Sequence, residues 1–99
     1  MFALVVLLKA QKGKEKELEQ LFQEMTEKVR QNEKDTLMYD LHRKTDASAE
    51  MLLYERYTDK EAWEVTHRST PYFKKLQEAL PTYIEGELEV IKYEVVEVK

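Results

Sequence analysis

The chain has 99 residues, of which 42% are apolar and 36% charged, and this composition indicates a single folded domain over residues 1–99. Its 16 lysines and arginines against 20 acidic residues give a net charge of −4, so neither nucleic acid nor an anionic membrane is an expected partner. Cysteine is absent, which excludes disulfides and thiolate nucleophiles and is typical of a cytoplasmic protein.

The first predicted element is a strand over residues 2–8, which are apolar at every position. A continuous apolar run of this length is typical of a strand buried on both faces, and it is too short to cross a membrane. A helix is predicted over residues 14–31, because Leu18, Phe22 and Val29 belong to a set of apolar residues that recur at helical spacing. One side of that helix is expected to face a core.

Two strands are predicted next, over residues 37–42 and 51–57. In the first, Leu37, Tyr39 and Leu41 alternate with polar or flexible residues, as in a strand with one buried face. The polar stretch TDASAE separates the two strands and is of the size of a hairpin loop. The sequence therefore predicts a β-hairpin here.

The region after the hairpin contains two predicted helix starts. Thr58 with Glu61 three residues later forms a capping box, so a first helix is expected to end near His67. A second helix is expected to begin with Thr70 as its cap and Pro71 at its first position, where the missing amide hydrogen has no cost. The chain is thus expected to change direction immediately after His67.

A long final strand is predicted over residues 88–98, with two shifts in the apolar phase that indicate either a bulge or a change of environment along the strand. The resulting order βαββαβ predicts an α+β, ferredoxin-like fold, in which helices cover one face of an antiparallel sheet. Because the first strand is apolar on both faces, something must cover the other face of the sheet. A second copy of the chain is the simplest cover, so we expect a homodimer.

His67 is the first candidate for chemistry. It follows Trp63 by four residues, so both side chains are expected on one face of the predicted helix. A histidine at this position either caps the last carbonyl groups of the helix or faces a pocket as a proton acceptor. The residues alone leave both interpretations open.

Glu55 is the second candidate, because it alternates with Leu53 and Tyr57 along one side of its strand. Burial among such neighbours would raise the pKa of its carboxyl group. The alternative is an ordinary ion pair with Arg43 or Arg56.

The aromatic residues near these two candidates can line a pocket or simply fill the core. Tyr39 and Tyr57 are expected on the same face of the hairpin, and Trp63 and Phe73 are the type of residue that more often packs in a core. With two histidines and two glycines, the sequence offers no metal-ligand cluster and no phosphate-binding loop. We therefore predict no metal and no nucleotide cofactor.

The stretch over residues 52–76 resembles the antibiotic biosynthesis monooxygenase family. Its members carry a strand that ends in Glu-x-aromatic, a helix that contains Ala, and then His-x-x-Ser/Thr-Pro before another helix. The matching residues are Glu55, Tyr57, Ala62, His67, Thr70 and Pro71. The segment HRSTPYF is similar to the branch that contains quinol monooxygenases and the isomerase of a phosphorylated autoinducer-2 breakdown product.

The resemblance implies a dimeric α/β barrel in which each chain has a pocket between its sheet and its helices. It also implies a cofactor-independent monooxygenase that acts on a small quinol or another hydroxylated aromatic. The residues to which it assigns catalysis are His67, Tyr57 and Glu55, and those to which it assigns substrate contacts are Tyr39, Trp63, Tyr72 and Phe73.

Two other activities remain open within this resemblance. An isomerase of a small carbonyl compound, with or without a phosphate group, would need the same removal and return of a proton. A noncatalytic dimeric barrel that binds a ligand or serves a stress response would instead have its pocket filled by side chains. The direction in which the His67 ring points is the feature that separates chemistry from a purely structural role.

Overall fold

The computed structural model describes residues 1–97. Its elements are β1 (Phe2–Lys9), α1 (Glu15–Asn32), β2 (Thr36–Lys44), β3 (Ala47–Tyr57), a π-helical segment (Ala62–His67), α2 (Pro71–Tyr83) and β4 (Glu89–Glu94). The strands form one antiparallel sheet in the order β2-β3-β1-β4. The predicted ferredoxin-like α+β fold is therefore confirmed. The sheet of this single chain is open, so the chain does not form a barrel by itself.

The core lies between one face of the sheet and the two α-helices. Leu18, Phe22 and Val29 form the buried side of α1, as the helical spacing predicts, and Leu76 and Leu80 form that of α2. Complete burial of each such side chain stabilises the fold by about 1.5–3 kcal/mol. Both helices are thus attached to the sheet by apolar contacts, and the site lies within the same layer.

The β2–β3 hairpin is tighter than the sequence predicts. Only residues 45 and 46 form the turn, and Lys44 pairs directly with Ala47. The predicted loop TDASAE is therefore mostly strand, and β3 begins four residues before Met51. Polar residues are compatible with a strand when their side chains face solvent, so the polarity of this stretch did not reveal its backbone pairing.

The last strand is shorter and more regular than predicted. It pairs with β1 in an unbroken register from Glu89 to Glu94, so the predicted bulge is wrong. The other predicted cause, a change of environment, accounts for the first shift: Val90 and Ile91 lie on opposite faces of the sheet, and both faces are apolar. Residues 95–97 are not in a strand, and the predicted end at residue 98 lies outside the described residues.

The face of the sheet opposite the helices is apolar but uncovered in the single chain. Leu4, Val6 and Leu8 are buried beneath the helices, whereas Val5 and Leu7 on the opposite face are only half-buried. The uncovered face also carries Met38, Leu52, Tyr54, Ile91 and Tyr93. We call this set, with Val5 and Leu7, the outer face. The predicted burial of β1 is therefore confirmed for Leu4, Val6 and Leu8 on the helix side, whereas on the outer face of β1 only the small Ala3 is buried.

The segment that leads to His67 differs from the predicted helix. Its start is capped by Asp59, whose Oδ1 atom accepts a hydrogen bond from the Ala62 amide at 2.8 Å, so the predicted cap at Thr58 is wrong. The segment is π-helical, and the Arg68 amide donates to the carbonyl group of Trp63, five residues earlier, at 3.3 Å. The wider turn places His67 at the end of the segment with its ring directed inwards.

The start of α2 is as predicted. The Thr70 hydroxyl oxygen accepts a hydrogen bond from the Phe73 amide at 3.2 Å, and Pro71 occupies the first turn. The same hydroxyl group donates to the carbonyl oxygen of His67 at 2.8 Å. Thr70 therefore joins the end of the π-helical segment to the start of α2.

We expect Thr70→Ala to lower the free energy of unfolding by about 1 kcal/mol, because the variant loses the cap of α2. For a domain of this size, the melting temperature should fall by about 4–8 °C. Thermal denaturation followed by circular dichroism measures both quantities. Thr58→Ala is the matched control and should change stability by less than about 0.5 kcal/mol, since Asp59 caps that segment. Equal losses in the two variants would contradict the assignment of the caps.

Candidate active site

A cavity of about 320 Å³ lies between the helix side of the sheet, the π-helical segment and α2. Its wall is mostly apolar, and its volume is at the lower end of the range for sites that bind small molecules. Five of the seven predicted site residues line it, namely Tyr39, Glu55, Trp63, His67 and Phe73. The cavity is open and is not filled by side chains, which is the arrangement that a ligand site requires.

The imidazole ring of His67 is buried, with 1% exposure, and does not cap its helix. Its Nδ1 atom lies 2.9 and 3.0 Å from the two carboxylate oxygens of Glu33. Because a carboxylate only accepts hydrogen bonds, we assign the proton of the neutral ring to Nδ1. The Nε2 atom then has a free lone pair and points towards Glu55, whose Oε1 atom is 3.8 Å away.

Glu33 is the partner that the sequence did not reveal. It follows α1 directly, and its carboxylate accepts hydrogen bonds from His67, from the Thr36 hydroxyl group at 2.6 Å and from the Tyr72 hydroxyl group. Burial acts to raise the pKa of Glu33, but the hydrogen bonds from His67, Thr36 and Tyr72 outweigh burial and leave the pKa lowered. The Glu33 carboxylate is therefore charged at neutral pH and orients the His67 ring.

Glu55 is also buried, with 4% exposure, and lies on the opposite side of the His67 ring from Glu33. Burial raises the pKa of Glu55 to about 7, against the lowering effect of the Tyr57 hydrogen bond. The raised pKa predicted from the strand pattern is confirmed.

The alternative prediction of an ion pair for Glu55 is wrong. Arg43 donates instead to Glu19 at 2.6 and 2.8 Å, and Arg56 contacts the sulfur atom of Met1. Glu55 accepts its hydrogen bond from the Tyr57 hydroxyl group, at 2.5 Å. No arginine therefore stabilises the charged form of Glu55, and its carboxyl group can gain or lose a proton near neutral pH.

Three aromatic rings surround the His67 ring. The ring centroids of Tyr39, Tyr57 and Phe73 lie 5.5, 5.7 and 5.1 Å from that of His67. Burial, and then the charge of Glu55, raise the pKa values of Tyr39 and Tyr57, so both hydroxyl groups remain protonated. These contacts fix the imidazole in one orientation.

Tyr57 and Tyr72 are the two predicted site residues that do not line the cavity. Each donates its hydroxyl proton to a carboxylate, Tyr57 to Glu55 and Tyr72 to Glu33. Burial, followed by the hydrogen bond to Glu33, raises the pKa of Tyr72 and keeps it a donor. Both tyrosines thus bind the carboxylates of the site but do not line the cavity itself.

Three polar atoms at the base of the cavity have no hydrogen-bond partner within the described residues: the Tyr39 hydroxyl oxygen, Glu55 Oε2 and His67 Nε2. Among residues 1–97, no polar side-chain atom is both fully buried and unpaired. These three atoms therefore retain access to the space of the cavity, where they are available to a bound molecule. They provide one donor and two potential proton acceptors within a mostly apolar wall.

The entrance of the cavity is formed around Trp63, which is 9% exposed and packs against Phe2 at 5.4 Å between ring centroids. The ammonium group of Lys92 lies 5.1 Å from the indole centroid and the guanidinium group of Arg68 lies 5.4 Å from it. The sequence did not single out either cation. Lys92 reaches the cavity only because the register of β4 places it beside Leu4.

Within residues 1–97, no group of three or more His, Cys, Asp and Glu side chains is arranged to bind a metal ion. A search of the same residues for a helix long and apolar enough to span a membrane found none.

The chain is thus a ferredoxin-like α+β domain with an apolar cavity and a buried carboxylate–histidine–carboxylate group at the base of that cavity. The chain belongs to the antibiotic biosynthesis monooxygenase family, which matches residues 1–79.

Solved structures named for the same family share this fold. A structure from Caulobacter crescentus is 29% identical with a TM-score of 0.90, and the alignment covers 97% of this chain and 90% of that chain. One from Deinococcus radiodurans is 22% identical with a TM-score of 0.89, covering 100% and 96%. One from Nitrosomonas europaea is 15% identical with a TM-score of 0.89, covering 98% and 100%. Among curated proteins, none matches the chain significantly.

Proposed function

We propose that this protein is a cofactor-independent monooxygenase that acts on a small quinol or another hydroxylated aromatic. The observation that carries the proposal is the pair of unpaired acceptor atoms, His67 Nε2 and Glu55 Oε2, at the base of an aromatic-lined cavity. Membership of the family supports a monooxygenase-type activity in general terms. The substrate class and the roles of the residues are part of the proposal.

The first step of the proposed reaction is the transfer of a hydroxyl proton from the substrate to Nε2 of His67. The charged Glu33 on the Nδ1 side favours the imidazolium ion that forms, and Glu55 favours it from the Nε2 side. General base catalysis of this kind contributes about 10²- to 10⁴-fold to a rate. The histidine is therefore proposed as the base and the two carboxylates as its supports.

The second step uses the electron-rich anion as the reductant of molecular oxygen. One oxygen atom enters the ring and the other leaves as water, and the quinol supplies all four electrons and becomes a hydroxyquinone. A mostly apolar wall, which includes Leu4, Val6 and Leu53, keeps competing water away from the anion. The Tyr39 hydroxyl group is placed to donate a hydrogen bond to the substrate oxygen.

Oxygen consumption with a panel of quinols and catechols tests the proposal. We expect a rate proportional to enzyme concentration, together with a product that has gained one atom of ¹⁸O from labelled oxygen gas. Absence of uptake across the panel, with binding intact, would contradict it. An isomerase would give the opposite result, in which a carbonyl compound rearranges without oxygen and exchanges a carbon-bound hydrogen with deuterated water.

We also propose that the protein is a homodimer in which the outer face of the sheet covers its counterpart. The support is the apolar character of this face, with Met38 and Tyr93 exposed and Val5 and Leu7 half-buried in one chain. Sedimentation velocity at micromolar concentration should show twice the chain mass. A monomer under these conditions would contradict the proposed cover of β1.

A further inference from the structure

The entrance of the cavity carries two cations that the proposed proton transfer does not use. Arg68 follows the π-helical segment and Lys92 lies on β4, and both line the cavity while remaining exposed at its mouth. They approach the same indole ring of Trp63, at 5.4 and 5.1 Å. Both positive charges thus lie within 5.4 Å of the centroid of one aromatic side chain.

Neither cation has a carboxylate partner within 4.0 Å among residues 1–97. Some other cations have such a partner, as Arg43 has Glu19, whereas others, such as Lys74 and Lys75 on α2, have none among these residues. What distinguishes Arg68 and Lys92 is that both line the same cavity and approach the same indole ring. Like charges at one entrance repel each other unless an anion lies between them.

The sheet register relates these cations to the base of the cavity. Lys92 and Glu55 both pair with Leu4, one from each side of β1, and their side chains point to the same face. Two strand spacings, about 10 Å, therefore separate their backbones. The cavity of about 320 Å³ between these residues has room for one benzene ring that carries a hydroxyl group and an acidic group.

Charge also determines which end of such a molecule enters first. The carboxylates of Glu33 and Glu55 lie at the base, and they repel an anionic group that approaches it. The cations lie only at the mouth, where the anionic group would be attracted and a guanidinium group can form two parallel hydrogen bonds. The uncharged hydroxyl end is thereby directed towards Nε2 of His67.

We propose that the substrate carries a dissociated oxyacid group, a carboxylate or a phosphate ester, which Arg68 and Lys92 bind at the mouth of the cavity. This inference rests on the proposed function for the orientation of the hydroxyl group, whereas the anion site itself is independent of the reaction. The site takes ring-sized aromatic anions and distinguishes them from neutral compounds of the same shape.

Binding of matched anionic and neutral probes under nitrogen tests the site. The chain has one tryptophan, so its single indole N–H resonance reports ligands at the entrance and gives a dissociation constant by titration. We expect 3,4-dihydroxybenzoate to bind about tenfold more tightly than 3,4-dihydroxybenzamide, the size of one charge-assisted hydrogen bond. Phenyl phosphate against phenol provides the same comparison for a phosphate ester. Either preference supports the site and identifies the group.

The double variant Arg68→Gln/Lys92→Gln should reduce the preference to less than about twofold, since only the charge–charge contacts are lost. The matched control is Lys74→Gln/Lys75→Gln, which removes the same charge from exposed positions on α2 and should retain the preference. Absence of an anion preference in the wild type, or its survival in the first double variant, would overturn the inference.

The oxygen assay separates this inference from the proposed function. Oxygen uptake with neutral hydroquinone, combined with no anion preference, would remove the anion site and leave the monooxygenase intact. A clear anion preference without oxygen uptake from any quinol would contradict the monooxygenase and leave the anion site intact.

Discussion

His67→Asn is expected to lower kcat for quinol oxidation by about 10²- to 10⁴-fold, because the variant lacks the proton acceptor at Nε2. Asparagine is chosen because its amide group can still donate to Glu33 from a position near that of Nδ1. His67→Ala would instead leave the buried Glu33 charge without this partner, at a cost of about 3–5 kcal/mol in stability. The asparagine variant therefore tests the chemistry with less loss of folding.

The control for His67→Asn is His42→Asn, the same substitution at the other histidine of the chain. His42 is exposed on β2, away from the cavity, so kcat should remain within about twofold of the wild type. Steady-state oxygen consumption gives kcat and KM, and thermal denaturation verifies that both variants are folded. A folded His67→Asn variant with unchanged kcat would remove His67 from the mechanism.

Glu55 is expected to make both activity and stability depend on pH near neutrality. Its pKa is about 7 in the folded protein against 4.5 for an ordinary glutamate, so the folded state binds a proton between these two pH values when the unfolded state does not. The contribution of Glu55 to stability therefore decreases as pH rises from about 4.5 to about 7 and stays low above that. The shift corresponds to at most about 3 kcal/mol.

Glu55→Gln should consequently be more stable than the wild type at pH 8, and this advantage should disappear towards pH 4.5. Activity should depend on pH in the opposite direction from stability. In the wild type, kcat should rise as Glu55 loses its proton near pH 7, and Glu55→Gln should lack this rise. Urea denaturation and oxygen consumption from pH 5 to 9 measure the two effects. Glu61→Gln, at an exposed position, is the control. Parallel pH profiles for the wild type and Glu55→Gln would contradict the role of Glu55.

The fold was largely predictable because its signals are local. The helical spacing of Leu18, Phe22 and Val29, and the Thr70–Pro71 start of α2, depend on residues within a few positions of one another, and the structure confirms both. The errors, in the start of β3 and in the bulge of β4, arose where strand pairing with distant residues decides the structure. Glu50 is polar but pairs with Lys9, and Val90 and Ile91 are both apolar because they lie on opposite faces of the sheet.

The candidate site was predictable only in part. Glu55 and His67 were identified from a strand alternation, a helix boundary and a family resemblance, and both line the cavity. Glu33 has no comparable signal, because it stands in the charged run NEKD, which is typical of a solvated helix end. The burial of Glu33 depends on its contact with His67, which lies 34 residues later in the chain, and residues close to Glu33 in sequence do not indicate that contact.

The sequence by itself determined the order of the elements, the apolar faces of α1 and β1, and the change of direction after His67, since these depend on short-range periodicity and helix capping. Only the tertiary structure decided that the His67 ring points inwards between Glu33, 34 residues earlier in the chain, and Glu55. It also decided that Arg68 and Lys92 meet at Trp63. The physical reason is that these contacts join separate elements, so they are set by strand register and helix packing and not by neighbouring residues.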